Sequence, residues 1–348
     1  MLLFTEYTLK GHTIKNRVVM PPMVCFGFSG QDGYVTQNNI DHYRERAKGG
    51  TAVIIVEATC IAKDGRLSDT QLGIWSDEHI WGLSKIADVI HQYGSLALIQ
   101  IHHAGFKTPA AVNESPLSAS QYDNNGIISR SMTLNEINEI QAEYVNAALR
   151  AEKAGFDGIE LHGAHGYLIS QFASPITNKR TDEYGGSLEN RIRFAKEIIL
   201  KIKERVSKNF IIGYRMGGNE PTLDEGIQIA GMLEAYGVDL LHVSAGMPGD
   251  VLPSAPEGFP NNWIVYMGTE VKKHVSIPVI VVNGIRTPTA AEYLINKNLA
   301  DFVAIGKGIL ADPNWTLHAQ NAQSINACKE CKRCMFYSNG SKCPNNSR

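Results

Sequence analysis

Apolar and polar positions along the chain fall into two alternating rhythms. Eight short runs are almost wholly apolar and rich in β-branched residues: "TIKNRVVMPP", "TAVIIVEAT", "LALIQIHHAG", "FDGIELHGA", "FIIGYRM", "DLLHVSAG", "PVIVVNG" and "DFVAIGKG". A strand wet on one face alternates polar with apolar, whereas an unbroken apolar run suits a parallel strand covered on both faces. Between these runs the apolar positions recur at helical spacing. Ala195, Ile198, Ile199, Ile202 and Val206 form one stripe behind an N-cap at Ser187. Thr133 and Glu136 have the spacing of a capping box ahead of Ile137, Ile140 and Tyr144.

Eight strand–helix units in 348 residues predict an α/β fold, the TIM (β/α)8 barrel. A doubly wound open sheet is the competing arrangement, but no Gly-x-Gly-x-x-Gly follows the early strands. Three connections exceed minimal loops, from Phe106 to Met132, Leu168 to Gly186 and Met247 to Trp263, and each follows a strand's C-terminal end. Long βα loops on that rim form pockets and lids. The barrel is expected over 1–325, with a short cysteine-rich tail over 326–348.

Composition narrows the partners. A formal charge of −2 argues against nucleic acid or an anionic membrane surface as the main partner. No run approaches the roughly 18 apolar residues of a membrane span, and "MLLFTEYTLKGHTIKNR" lacks the basic start of a signal peptide. A cytoplasmic protein acting on small molecules is the expectation. Of six cysteines, Cys25 and Cys60 stand alone, while Cys328, Cys331, Cys334 and Cys343 crowd the end as Cys-x2-Cys-x2-Cys-x8-Cys. In a reducing compartment four such thiols read as ligands for zinc or an iron–sulfur cluster, and the flanking Lys329, Lys332 and Arg333 favour thiolate.

Barrel chemistry gathers at the C-terminal strand ends. There the chain places Met20 to Phe26, then Glu57, Ala58 and Thr59, and then Gln100, His102 and His103. The later strands bring His162, His165 and Tyr167, Arg215, Asn283 and Gly284, and finally Gly306, Lys307 and Gly308. Glycines after the last two strands allow backbone amides to approach a phosphate. Two histidines three apart could also chelate zinc, with His102 and His103 as further nitrogen donors.

The block "HGAHGYLISQFASPITNKRTDEYGGSLENRIRF" closely resembles the signature of the old yellow enzyme family of FMN-dependent oxidoreductases. It is most similar to the bacterial branch shared with 2,4-dienoyl-CoA reductases and short ene-reductases. "TIKNRVVMPPM", "GIWSDEHI", "VNGI" and "AIGKGILADP" follow the same family in order, so the resemblance covers all but the tail. It implies FMN as cofactor, NADH or NADPH as reductant, and hydride transfer from the flavin N5 to an α,β-unsaturated carbonyl substrate. It also implies a homo-oligomer. Carried onto this chain, Gly284, Gly306 and Lys307 would hold the phosphate, Arg215 the flavin N1/C2 carbonyl edge, and Gln100 the pyrimidine edge. Pro21, Pro22, Met23, Val24 and Ala58 would pack the ring. His162 and His165 would donate to the substrate carbonyl, and Tyr167 would protonate the α-carbon.

Two features depart from the pattern. The family's thiol or threonine beside the flavin is Val24 here, with Cys25 one residue later and so on the other face. Phe26 stands where a substrate-contacting aromatic, often tyrosine, is found. In longer relatives four cysteines of the tail region hold a [4Fe–4S] cluster ahead of FAD- and NAD(P)-binding modules. An electron-transfer subunit is therefore the competing function. Other FMN barrels have no place for the "HGAHGY" block.

Overall fold

The computed structural model describes residues 1–337 and 342–345. Its eight predicted strands are β1 (Val18–Met20), β2 (Val53–Cys60), β3 (Leu96–His102), β4 (Gly158–Gly163), β5 (Ile211–Gly217), β6 (Leu240–Ser244), β7 (Val279–Val282) and β8 (Phe302–Ala304). They close into a barrel in sequence order, every neighbouring pair parallel, with β8 returning to β1. All of their residues are buried, as unbroken apolar runs require.

Helices Gln37–Lys48, Ile80–His91, Leu134–Lys153, Leu188–Lys203, Leu223–Tyr236, Trp263–Lys272, Pro288–Asn296 and Trp315–Gln320 follow the strands in turn. Leu134–Lys153 opens with the expected capping box: Glu136 N–H donates to Thr133 Oγ1, and Thr133 N–H to Glu136 Oε2. Ser187 caps Leu188–Lys203 as expected, but this helix ends before Val206, which packs on the core from outside it. The connection after β3 contains three short strands, Leu117–Ser118, Tyr122–Asn124 and Ile127–Ser131. The one after β4 contains a short helix, Leu168–Ala173.

The first apolar run is shorter as a strand than its pattern implied. Only Val18–Met20 enters the barrel, while His12–Ile14 pairs with Tyr7–Leu9 in an antiparallel hairpin. This hairpin supplies Leu9 and Ile14 to a cluster with Val53, Ile55, Leu96, Leu98, Ile211, Leu240, Ile280 and Phe302. Tyr7 stacks edge-on to Phe302, with ring centroids 5.0 Å apart. One end of the barrel is thus closed by packed hydrocarbon.

Candidate active site

At the opposite end the inward stripes change character. On β3 Leu96 and Leu98 give way to Gln100 and His102; on β6 Leu240 gives way to His242 and Ser244. On β4 the stripe carries Glu160 and His162, and on β5 Ile211 leads through Gly213 to Arg215. Side chains two apart share a face of a strand, so each pair projects into the same interior. The strand register sets Gln100 beside Glu160, and Arg215 between His162 and His242.

Of these groups Gln100, His162, Arg215 and Ser244 line a cavity of about 760 Å³. Its wall includes all fourteen residues expected around a flavin and substrate: Pro21, Pro22, Met23, Val24, Phe26, Ala58, Gln100, His162, His165, Tyr167, Arg215, Gly284, Gly306 and Lys307. Cys25 is absent from the wall. Its N–H donates to Glu57 Oε2 at 2.8 Å, and burial beside that carboxyl pushes its thiol well up.

Glu57 does not face the cavity. A register shift between Val56 and Thr59 interrupts the β2 alternation, leaving Ala58 on the wall. The Glu57 carboxyl instead accepts from Tyr43 Oη at 3.2 Å and Asn39 Nδ2 at 3.3 Å on the covering helix. Burial raises its pKa to about 7.

The histidine pair sits on a turn. His165 (φ 61°) and Gly166 (φ 67°) are successive left-handed residues, a conformation glycine adopts without cost and other residues seldom do. The turn folds His165 back so that its Nδ1 lies 3.0 Å from His162 Nε2. His165 Nε2 is 2.8 Å from Ser244 Oγ, which accepts from Arg215 Nη2 at 3.4 Å. Lys107 Nζ donates to the His165 carbonyl at 2.5 Å and lies 5.2 Å from the Tyr167 ring centroid. The Tyr167 ring meets His102 and His162 edge-on at 4.5 and 4.7 Å.

Burial, reinforced by the Arg215 charge, holds both His162 and His165 well below the usual histidine pKa, so both rings are neutral at pH 7. Beneath them Glu160 accepts from Gln100 Nε2 and faces His242 Nδ1, each at 2.7 Å. A carboxylate only accepts, which fixes the Gln100 amide with its nitrogen toward Glu160. Arg215 Nε and His162 Nδ1 are buried without a hydrogen-bond partner.

Glu160, His242, Ser244 and Lys107 were not among the expected site residues. Three of them had a readable signal, since Glu160/His162 and His242/Ser244 are polar pairs at strand spacing inside apolar runs. Lys107 gave none, because a turn of the loop after β3 brings it to the site.

The four tail cysteines are free and half-buried. They line a second, small cavity, which shares Lys307, Cys328 and Glu330 with the large one. Among the described residues no group of three or more His, Cys, Asp or Glu is assembled to hold a metal ion. Residues 338–341 and 346–348 of the expected tail lie outside the described residues. Among those described, no helix is long and apolar enough to cross a membrane.

Comparison with known proteins gives this site a context. The model of the NADH:flavin oxidoreductase / NADH oxidase family matches residues 2–326. An NADH oxidase of Thermoanaerobacter brockii is 44% identical over 347 residues, covering 95% of this chain but 52% of that protein. The chain thus spans about half the length of this relative. An NADPH dehydrogenase of Clostridium acetobutylicum is 40% identical, over 94% of this chain and 96% of its own. Among solved structures, a 2-naphthoyl-CoA reductase bound to 2-naphthoyl-CoA superposes with a TM-score of 0.89 at 28% identity, over 97% of this chain and 55% of that one. The old yellow enzyme homologue of Zymomonas mobilis gives 0.80 at 26% identity, over 95% of each chain. The chain belongs to the NADH:flavin oxidoreductase / NADH oxidase family, that of the old yellow enzymes.

Proposed function

We propose that this chain is an FMN-dependent NAD(P)H oxidoreductase that reduces activated C=C bonds of enone or enoyl type, with residues 1–325 as the flavin unit. The observation that carries the reading is the cavity at the barrel mouth, in which a buried arginine, a glutamine amide, two neutral histidines and a tyrosine converge. Its volume lies within the roughly 300–1,000 Å³ of small-molecule sites.

The residues suit FMN. Arg215 Nε is a buried donor without a protein partner. A side chain at Gly306 would reach 3.4 Å from Met23 Sδ and 3.5 Å from Pro21 Cγ, filling the gap between the ends of β8 and β1. Gly284 has φ 70°. These glycines leave backbone amides open to a phosphate beside Lys307, while Pro21, Pro22, Met23, Val24 and Ala58 offer an apolar bed for a planar ring. Gln100 keeps its carbonyl oxygen and one N–H for a pyrimidine edge.

FMN supplies hydride transfer between NAD(P)H and an acceptor. The chain's own residues supply charge and protons. Arg215 places a fixed cation where negative charge accumulates on reduction. His162 and His165 donate hydrogen bonds to the carbonyl oxygen of the acceptor, as oxyanion donors worth roughly 3 kcal/mol each when well placed. The Tyr167 phenol, held above its usual pKa by burial, keeps its proton until the α-carbon takes it. Phe26 offers substrate an apolar face.

The test is optical. Purified protein, or protein reconstituted with FMN, should be yellow, bleach anaerobically with NADH or NADPH, and recolour on addition of an enone. Protein that neither carries nor takes up FMN would overturn the reading.

A second reading is favoured by the tail cavity. Four cysteines around one space, sharing a wall with the large cavity, are the donor set of zinc or a [4Fe–4S] cluster, and a cluster would admit electrons from a partner. Among the described residues these thiols are not assembled as a metal site. Stoichiometric iron and sulfide in the purified protein would support the electron-transfer reading; zinc, or neither, would remove it.

A further inference from the structure

We propose that Ser244 is a positioning residue that fixes His165 in its Nδ1–H tautomer, so that this ring can act only as a donor toward its neighbour at Nδ1. The proposal rests on the reading of the histidine pair as carbonyl donors and names what sets their polarity.

A neutral imidazole carries one hydrogen, so one nitrogen donates and the other accepts. His165 makes two hydrogen bonds, through Nε2 to Ser244 Oγ at 2.8 Å and through Nδ1 to His162 Nε2 at 3.0 Å. The direction is set at the far end of the chain. Arg215 has only donors, so Ser244 Oγ accepts at 3.4 Å, and its single hydrogen turns to His165 Nε2. With Nε2 accepting, the ring hydrogen of His165 sits on Nδ1 and is donated to His162. In the reverse arrangement Ser244 would receive two donors and leave its own hydrogen without an acceptor among the described residues.

Arg215, Ser244, His165 and His162 thus form a polarised series that begins at a fixed cation. A carbonyl oxygen entering between the rings meets His165 Nδ1–H already formed, and His162, whose Nε2 accepts that hydrogen in the free protein, joins as a donor only once its own ring hydrogen moves to Nε2. Such preorganisation avoids reorienting the donor during reaction. The surrounding geometry agrees: Lys107 Nζ donates to the His165 carbonyl, and the left-handed turn at His165 and Gly166 brings the ring to Ser244.

Nitrogen-15 NMR of the full chain with labelled histidine tests this, because a tautomer is read directly from the two ring shifts. His165 is assigned by the signals lost in His165→Asn. The wild-type protein should show His165 protonated at Nδ1 and bare at Nε2. Ser244→Ala should move His165 to the other tautomer or to a mixture, and Ser244→Thr, which keeps the hydroxyl, should restore it. In FMN-loaded protein, Ser244→Ala should weaken binding of a phenolate about tenfold, the factor expected for one lost hydrogen bond of about 1.4 kcal/mol. A wild-type His165 protonated at Nε2, or Ser244→Ala with unchanged ring shifts, overturns the proposal. Failure to bind FMN would sink the flavin reading alone, since the tautomer is measured without the cofactor.

Discussion

The two ends of this barrel are built from the same strands and share almost nothing else. At the hairpin end, Leu96, Leu98, Ile211, Leu240, Ile280 and Phe302 pack as hydrocarbon under Leu9 and Ile14. At the open end the same inward stripes present Gln100, His102, Glu160, His162, Arg215, His242 and Ser244, every one 9% exposed or less. Burying apolar surface is favourable by about 25 cal/mol per Å², whereas burying a polar group costs unless it is bonded. The first end therefore carries stability. The second holds orphaned groups such as Arg215 Nε and both ring nitrogens of His102, which a protein retains where function needs them.

That contrast can be broken from either side. The largest effect is expected at the closed end: Phe302→Ala should cost about 3–5 kcal/mol in urea unfolding while leaving the turnover of the remaining folded enzyme unchanged. His162→Ala should do the reverse, lowering kcat/KM on an enone by about 10²–10³-fold with stability changed by no more than about 1 kcal/mol. If both variants lost stability and activity together, the division of labour between the ends would be wrong.

The open end should also govern acid sensitivity. Burial pushes His102 down to about 3 and His103 to about 4. The unfolded chain binds these protons near 6.5 and the folded chain only near the lower values. Stability is therefore present above pH 6.5 and falls with pH between 6.5 and 3, by about 1.4 kcal/mol per pH unit for each such group. Glu57, raised to about 7, has the opposite sign: the folded state holds its proton longer, so its share is lost as pH rises from 4.5 to 7. Glu220 and Asp250, also raised by burial, share the sign of Glu57, so three carboxyls stand against the seven histidines that burial lowers, and the net slope is acid-labile. His102→Gln should flatten urea stability against pH in that window, and an unchanged slope would show that His102 is protonated in the folded state.

The smallest effect is chemical. Cys60, its thiol raised to about 12, and the buried Cys25 should resist iodoacetamide at pH 8 in the native protein and react in urea. Peptide mass spectrometry reads each cysteine separately. Labelling of native Cys25 would place its thiol at the cavity after all.

The chain's own letters determined a good deal. Eight apolar runs separated by helical stripes were enough for a parallel barrel, because a strand covered on both faces is apolar along most of its length. Strand-end polarity together with the family resemblance was enough to collect fourteen residues that line the cavity, since parallel strands deliver all their C-terminal ends to one rim. What tertiary structure decided was direction. By alternation Glu57 should join Val53 and Ile55 in the interior, but a register shift in β2 turns it to Tyr43 and puts Ala58 on the wall. The first run splits into a hairpin and a three-residue strand, because the hairpin's Leu9 and Ile14 find burial beneath the barrel rather than in its wall. Ser244 and Arg215 meet the histidine pair only through strand register, and Lys107 only through a loop. Periodicity fixes which face a side chain takes, but a bulge, a pairing register and the fold of a loop depend on partners distant in the chain.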